Sequence, residues 1–308
     1  MLDRMSKGGG RLASPGRRLR DLLAKPGIVR APGVVDPISA KLVERAGFEA
    51  VYVTGGGISR GMGFPDVGLV TMTEMVDRVR LIVQAVSLPV IADADTGYGN
   101  AINLIRAMTE FEMAGVAAVH IEDQVTPKKC GHYAGKQLVP SAEMEKKIEA
   151  AAAARRDADV VIVARTDGRA VEGFEAAVAR ANAYVKAGAD AIFFEAPETI
   201  DEIREVPKRV QAPLLMNMFA GGKTPVVSAA DLEKFGYRVV IYPSHLQRAA
   251  IRAMQKALDQ LKRDETGDGA GADLMVTFKD RDAIVGLADV KDLERRYLDI
   301  DTGEGRKR

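Results

Sequence analysis

Asp93 and Asp95 stand two residues apart where an apolar run, Val90–Asp93, ends. Side chains at i and i+2 of a strand share a face, so this spacing predicts two carboxylates reaching one pocket. Carboxylates that close repel each other unless they share a proton or a cation. With Glu122 and Asp66 they form an oxygen-rich set that suits Mg²⁺, with Mn²⁺ as a substitute. Mg²⁺ keeps several waters and takes only one or two carboxylates directly. The plainer alternative is one helix-capping Asp and one solvated Asp. No zinc spacing is present, because His120, His132 and His245 are scattered.

A second candidate is Thr54-Gly55-Gly56-Gly57, which follows Tyr52-Val53. It is neither a P-loop nor a dinucleotide fingerprint. Glycine does let backbone N–H groups approach an anionic oxygen, so the run reads as a carboxylate cradle. A third is the stretch Lys128–Lys136, which is polar, glycine-rich and too long for a simple strand-to-helix connection; it reads as a lid. Lone cysteines are usually packing residues. Cys130, flanked by Lys128, Lys129 and His132, has instead a tunable thiol. Arg165, Glu195 and Asn217 each follow an apolar run as well. Any one of these positions could be an ordinary polar loop, but their recurrence predicts a site.

The elements that position these residues alternate in a strand–helix rhythm. Strands are predicted at Ile28–Val34, Ala50–Val53, Val90–Asp93, Ala117–Ile121, Val160–Ala164, Ala191–Phe194, Leu214–Met216 and Val239–Ile241. Several are unbroken apolar runs, as parallel strands covered on both faces require. Amphipathic stretches lie between them, among them Pro37–Ala46, Ala101–Ala114, Ser141–Arg155, Gly173–Ala187 and Ala229–Phe235. Many close on Ala-Gly, which suits a left-handed stop after a helix. This pattern predicts an α/β fold, a (β/α)₈ TIM-type barrel, whose active-site groups lie at the C-terminal strand ends. An open doubly wound sheet is the alternative.

Residues 1–15 read as a flexible start, 16–262 as the barrel, and 263–308 as a helical tail with a disordered end. The tail's Met275, Val276, Phe278, Ile284, Val285 and Leu287 are too apolar for a solvated appendage. The chain has 308 residues with 44 Lys and Arg against 43 Asp and Glu. That balance, with 5% aromatic residues, gives no reason to expect nucleic acid or an anionic membrane as partner. No apolar run approaches the ~18 residues of a membrane span. A single cysteine and no secretory h-region fit a cytoplasmic enzyme.

Three runs carry a resemblance: Asp93-Ala-Asp-Thr-Gly-Tyr-Gly-Asn100, His120-Ile-Glu-Asp-Gln124 and Lys128-Lys-Cys-Gly-His132. Together they resemble the phosphoenolpyruvate mutase/isocitrate lyase superfamily from about Leu19 to Ala253. The branch they look like holds 2-methylisocitrate lyase, 2,3-dimethylmalate lyase and oxaloacetate hydrolases. The resemblance implies Asp93 as the direct Mg²⁺ ligand, with Asp95, Glu122 and Asp66 holding the metal directly or through its waters. It implies that Tyr52, Thr54, Gly55 and Gly56 contact a 2-oxo acid and that Arg165 clamps a carboxylate. Glu195 and Asn217 would surround the second product. Cys130 would be the catalytic thiol on a gating loop with Lys128, Gly131 and His132. Homotetramers that exchange C-terminal helices are also implied, which would give the apolar tail its docking site.

The activity so implied is cleavage of a 2-hydroxy di- or tricarboxylate, of 2,3-dimethylmalate or 2-methylisocitrate type, into a 2-oxo acid and a second carboxylate. Tyr52 or Lys128 would deprotonate the hydroxyl, and Cys130 would protonate the departing carbanion. In two places the sequence departs from the branch: Ala220 stands where a Glu is common, and Thr54 replaces the more usual Ser. The succinate-binding Ser-Pro-Ser of isocitrate lyases is missing, and Met218-Phe219-Ala220 suggests a less charged second half. An oxaloacetate hydrolase or decarboxylase is the nearest rival. A phosphorus–carbon enzyme such as a carboxyvinyl-carboxyphosphonate phosphorylmutase is disfavoured by Cys130 and His132. A metabolite-binding protein without catalysis is disfavoured by the intact Asp93, Cys130 and Arg165.

Overall fold

The computed structural model describes residues 13–131, 133–264 and 275–298. The chain divides into two compact units, residues 13–249 and residues 1–12 with 250–308. The first unit begins with α1 (Pro15–Ala24), β1 (Val29–Val34), α2 (Pro37–Arg45) and β2 (Val51–Val53). It continues with α3 (Gly55–Gly61), α4 (Met72–Ala85), β3 (Val90–Asp93), α5 (Ala101–Ala114) and β4 (Ala118–Glu122). Next come α6 (Ser141–Ala154), β5 (Val161–Thr166), α7 (Gly168–Val171), α8 (Phe174–Lys186) and β6 (Ala191–Phe194). The last elements are α9 (Ile200–Arg209), β7 (Leu214–Asn217), α10 (Ala229–Phe235) and β8 (Val239–Tyr242); α11 (His245–Asp264) starts in the first unit and has most of its length in the second.

All eight strands run parallel in sequence order, and β1 pairs with β8, Val29 opposite Val239. The sheet is therefore a closed (β/α)₈ barrel, and the open-sheet alternative is excluded. Local chemistry sets the helix ends. Asp36 and Ser39 close a capping box at α2, and Thr71 and Glu74 do the same at α4. Gly115, at φ 91°, stops α5 in the left-handed region.

Two apolar cores result. One fills the space between strands and helices and holds Val53, Val119, Ile162, Phe194, Phe111 and Tyr184 among others. The other lies inside the barrel and comes from alternate strand positions such as Val29, Ala50, Ile91, Ala118, Val161, Phe193, Leu215 and Val239. Leu19 of α1 belongs to this inner core, with Leu22 and Leu23 packed against it. Arg20 bonds the Asp159 carbonyl and the Asp190 carboxylate, just ahead of β5 and β6. Arg238, just ahead of β8, bonds the Leu23 carbonyl. Helix α1 thus plugs the end where the strands begin, although sequence reading left its start in the segment expected to be flexible.

In the second unit, α12 (Phe278–Val285) and α13 (Leu287–Leu298) contain no buried residue. Phe278 and Leu298 are among their exposed apolar side chains. Residues 1–12 and 299–308 and most of the glycine-rich break lie outside the described residues. No helix among the described residues is long and apolar enough to cross a membrane.

Leu19 is 1% exposed, so Leu19→Ala leaves a cavity under the barrel. We expect a loss of about 2–5 kcal/mol, the usual cost of such a truncation. Turnover by the folded fraction should persist, because the polar strand ends lie opposite. Urea unfolding of both proteins checks this, and a loss below about 1 kcal/mol would show that α1 is not a plug.

Candidate active site

Above the inner core, the next inward position of six strands, β2 to β7, is polar. Strand alternation carries Ala50 to Tyr52, Ile91 to Asp93, Ala118 to His120 and Glu122, Val163 to Arg165, Phe193 to Glu195, and Leu215 to Asn217. Glu122, Arg165 and Asn217 prove to be strand residues rather than loop residues. Ladder pairing continues through them, Glu122 opposite Arg165 and Asn217 opposite Ile241.

Asp93 is the most heavily engaged carboxylate. Its Oδ2 accepts from Tyr52 Oη at 3.3 Å and from the Gly55 N–H at 3.1 Å. Its Oδ1 accepts from the Asp95 N–H at 3.0 Å and lies 3.2 Å from His120 Nδ1. Burial would raise this carboxyl, but His120, with Lys128 and Arg165 behind it, holds it well below the usual carboxylate range. Asp95 reaches the same pocket by a route the sequence did not suggest. Strand β3 ends at Asp93, and Asp95 lies beyond it at φ 47°, so a left-handed turn and not strand alternation aims its carboxylate. A Cβ placed on Gly55 would sit 2.7 Å from Asp93 Oδ2 and 3.3 Å from Asp95 Oδ1, so only glycine fits between them.

The glycine run is therefore partly corrected. Thr54 Oγ1 accepts from the Gly57 N–H as the cap of α3, and the Gly55 N–H is directed at Asp93. The carboxylate held by this cradle is the protein's own.

Lys128 comes from the long loop after β4 and is 7% exposed. Its Nζ donates to Asp66 Oδ1 at 2.5 Å and lies 2.8 Å from Asp95 Oδ1, an ion pair without hydrogen-bond alignment on that oxygen. Burial works against the ammonium, but Asp95, Glu122, Asp66 and Asp93 outweigh it and hold its pKa well above that of a free lysine. Burial, reinforced by Asp93, likewise keeps the Tyr52 phenol protonated. The two residues expected as alternative bases therefore both carry their protons in this arrangement.

Arg165 forms the opposite wall. Its Nε and Nη2 donate to the two oxygens of Asp167 at 2.8 and 3.1 Å. Its Nη1 lies 3.3 Å from Glu122 Oε2, and its guanidinium covers the Phe193 ring at 4.9 Å. Glu195 Oε2 is 3.8 Å from Arg165 Nε. The loop backbone rests on this wall. A Cβ on Gly131 would come within 2.3 Å of Arg165 Nη2 and 2.5 Å of Glu195 Oε1, which accounts for glycine beside Cys130. Cys130 itself is partly buried. Gln124 anchors the loop's start by bonding both the N–H and the carbonyl of Lys129. His132 lies outside the described residues.

The described residues contain no ready-made cluster of three or more His, Cys, Asp or Glu ligands. They nevertheless suit a hydrated divalent cation, which needs few direct carboxylates. Glu122 Oε1 and Asp95 Oδ1 are buried oxygens without a hydrogen-bond donor, and Asn217 Oδ1 is another. Burial raises Asp95 and raises Glu122 well above the usual range, a cost that a cation or its waters would offset. Asp93, Asp95, Glu122 and Asp66 are the residues that would hold it.

Two expectations need amendment. Met218 does not face the site: it is buried in the outer core and its sulfur accepts from the Val227 N–H at 3.4 Å. His120, set aside among scattered histidines, is fully buried against Asp93, Tyr52 and Phe193. Its signal was available, since His120 stands two residues before Glu122 on one strand. Asp167, which grips Arg165, stands two residues after it, a spacing that carried the same signal.

Known proteins place this geometry. The family model for phosphoenolpyruvate phosphomutase matches residues 19–262. The chain is 46% identical to 2,3-dimethylmalate lyase of Eubacterium barkeri, over 91% of this chain and 97% of that protein. It is also 46% identical to 2-methylisocitrate lyase of Aeropyrum pernix, over 94% of this chain and 92% of that one. A crystal structure of 2,3-dimethylmalate lyase superposes with a TM-score of 0.88 at 37% identity, covering 96% of this chain and 98% of that one. By sequence and by fold, the chain belongs to the phosphoenolpyruvate mutase/isocitrate lyase superfamily and is an enzyme of its carbon–carbon lyase type.

Proposed function

We propose that this enzyme is Mg²⁺-dependent and cleaves the C2–C3 bond of a 2-hydroxy di- or tricarboxylate of 2,3-dimethylmalate or 2-methylisocitrate type. The products would be a 2-oxo acid such as pyruvate and a second carboxylate. The observation that supports this reading is the seating of Gly131, the residue after Cys130, on Arg165 and Glu195, within the set of buried polar strand ends that includes Asp93. Asp93 would hold the metal directly, with Asp95, Glu122 and Asp66 engaging it or its waters. Bound Mg²⁺ would supply Lewis-acid stabilisation to the oxygen at C2.

The chain's own residues account for the rest. Arg165, oriented by Asp167 and backed by Phe193, presents a fixed positive charge to a substrate carboxylate. Tyr52 Oη and Lys128 Nζ lie beside Asp93 and Asp95; one of them, after releasing its own proton to solvent as substrate binds, would take the proton of the C2 hydroxyl, and the other would donate a hydrogen bond to the oxygen developing charge. The departing carbon is a carboxylate-stabilised carbanion and a strong base, and a thiol of pKa near ~8.5 is acidic enough to protonate it. Thr54, Gly55, Gly56, Glu195 and Asn217 complete the pocket wall. We further propose a homotetramer in which the exposed apolar helices α12 and α13 dock on a second copy; a monomer in sedimentation equilibrium would set that aside.

The reaction is tested on a panel of 2,3-dimethylmalate, 2-methylisocitrate, citramalate and oxaloacetate, following release of 2-oxo acid and oxalate. We expect 2-oxo acid from one of the first two, abolished by chelator and restored by Mg²⁺ or Mn²⁺. Oxalate from oxaloacetate alone, or full activity after metal removal, would overturn it.

Cys130→Ser tests the proton donor. The serine hydroxyl is a far weaker acid, so kcat and kcat/KM should fall together by about two to four orders of magnitude with substrate binding kept. If Cys130 only packs, the thermal midpoint falls instead and the folded fraction turns over at near the normal rate.

A further inference from the structure

Five residues after Gly131, at the far end of the loop, Lys136 is buried almost completely, its side chain 2% exposed. Its Nζ donates to two groups, the Gly131 carbonyl and Asp167 Oδ1, the latter at 2.6 Å. Asp167 Oδ1 also accepts from Arg165 Nη2, so one carboxylate oxygen joins the loop lysine to the guanidinium of the opposite wall.

Asp167 is immobilised from behind. Its N–H donates to Asp123 Oδ1 at 2.9 Å, and Asp123 Oδ2 accepts from Tyr184 Oη at 2.7 Å. Arg180 lies 3.5 Å from that same Asp123 oxygen and is itself held by Glu172 through two 2.7 Å bonds. This chain of contacts is anchored in helix α8 and does not depend on the loop.

The junction also has a loop side. Its parts are the Gly131 backbone, pressed on Arg165 and Glu195, and the Lys136 ammonium that grips the Gly131 carbonyl.

We infer that Lys136 is a positioning residue, a latch that ties closure of the Cys130 loop to the orientation of the Arg165 clamp through Asp167. The inference rests on the reading of Arg165 as clamp and Cys130 as the proton-donating thiol. With the latch made, the Gly131 carbonyl beside Cys130 is fixed, and Arg165 shares Asp167 with a second cation. With it broken, the loop keeps the Lys128 tie at its start but loses the buried tie at its far end, and Arg165 becomes the sole cation on Asp167. A charged hydrogen bond between buried partners is among the stronger contacts a loop can make, so its loss should shift the loop toward open states.

The test uses the full-length protein without substrate. Cys130 is the chain's only cysteine, so its rate of alkylation by iodoacetamide reports opening of this loop alone. For Lys136→Met we expect alkylation to accelerate roughly ten-fold or more, the shift expected when one charged hydrogen bond is lost. The direction is diagnostic. Removing a nearby positive charge without opening the loop would lower the thiolate fraction and slow alkylation. The thermal midpoint, measured on the same preparation, establishes that the variant is folded. Should Lys136→Met not fold, Lys136→Gln, which keeps an uncharged donor, is read the same way.

Folded protein alkylated at the native rate or more slowly would overturn the latch, whether or not the native enzyme cleaves any of the panel. Faster alkylation supports the latch even if the native enzyme proves inactive on the panel, in which case the proposed reaction fails and the latch stands. In an active enzyme we expect Lys136→Met to lower kcat/KM about ten-fold or more, the worth of one charged contact, with Lys136→Arg restoring part of it.

Discussion

Seven carboxylates, those of Asp66, Asp93, Asp95, Glu122, Asp123, Asp167 and Glu195, are buried at one end of this barrel, and the structure must keep their charge from driving it apart. Buried ions are tolerated only when they are paired or hydrogen-bonded. Lys128, Lys136 and Arg165 face them, with Arg60 3.8 Å from Asp66 and Arg180 3.5 Å from Asp123. Lys128 and Lys136 both ride on the loop after β4, so that loop is more than a cover. Lifting it would remove both lysines from the set. The same excess of carboxylates explains why buried oxygens of Glu122 and Asp95 lack donors and why a divalent cation suits the pocket.

The rest of the barrel is arranged to make that end affordable. Below the polar shell the inner core is purely apolar and is plugged by Leu19 of α1. Around it the larger outer core seals strands to helices with side chains such as Phe111, Tyr184 and Phe194. Stability therefore resides under and around the site, while the site's own groups remain electrostatically unresolved. This division is the usual one in such barrels, where chemistry varies on the C-terminal face over a constant base.

Close backbone approach gives the pocket its precision. Gly55 admits Asp93 and Asp95 to one spot, and Gly131 lets the loop lie flat on Arg165 and Glu195. At either place a methyl group would collide with a charged side chain. Selectivity for the second half of the substrate has fewer identifiable determinants. Ala220 departs from the branch, but Met218, expected to line that region, is committed to the outer core instead.

The sequence by itself determined the strand–helix rhythm, the oxygen-rich set around Asp93, the cysteine loop and the resemblance that the family match bears out. These were legible because apolar runs, spacing and short motifs are local properties of the chain. Which groups meet was decided only by closing β1 onto β8 and fixing the register of each strand. Closure put His120 against Asp93, turned Gly55 toward a carboxylate of its own protein, and set Lys128 between Asp66 and Asp95. It also joined Lys136 to Arg165 through Asp167. Each of these pairs spans two different strand ends or a strand end and a loop. Their contact depends on long-range packing and on charges that must be neutralised together, and no local pattern in the chain encodes that requirement.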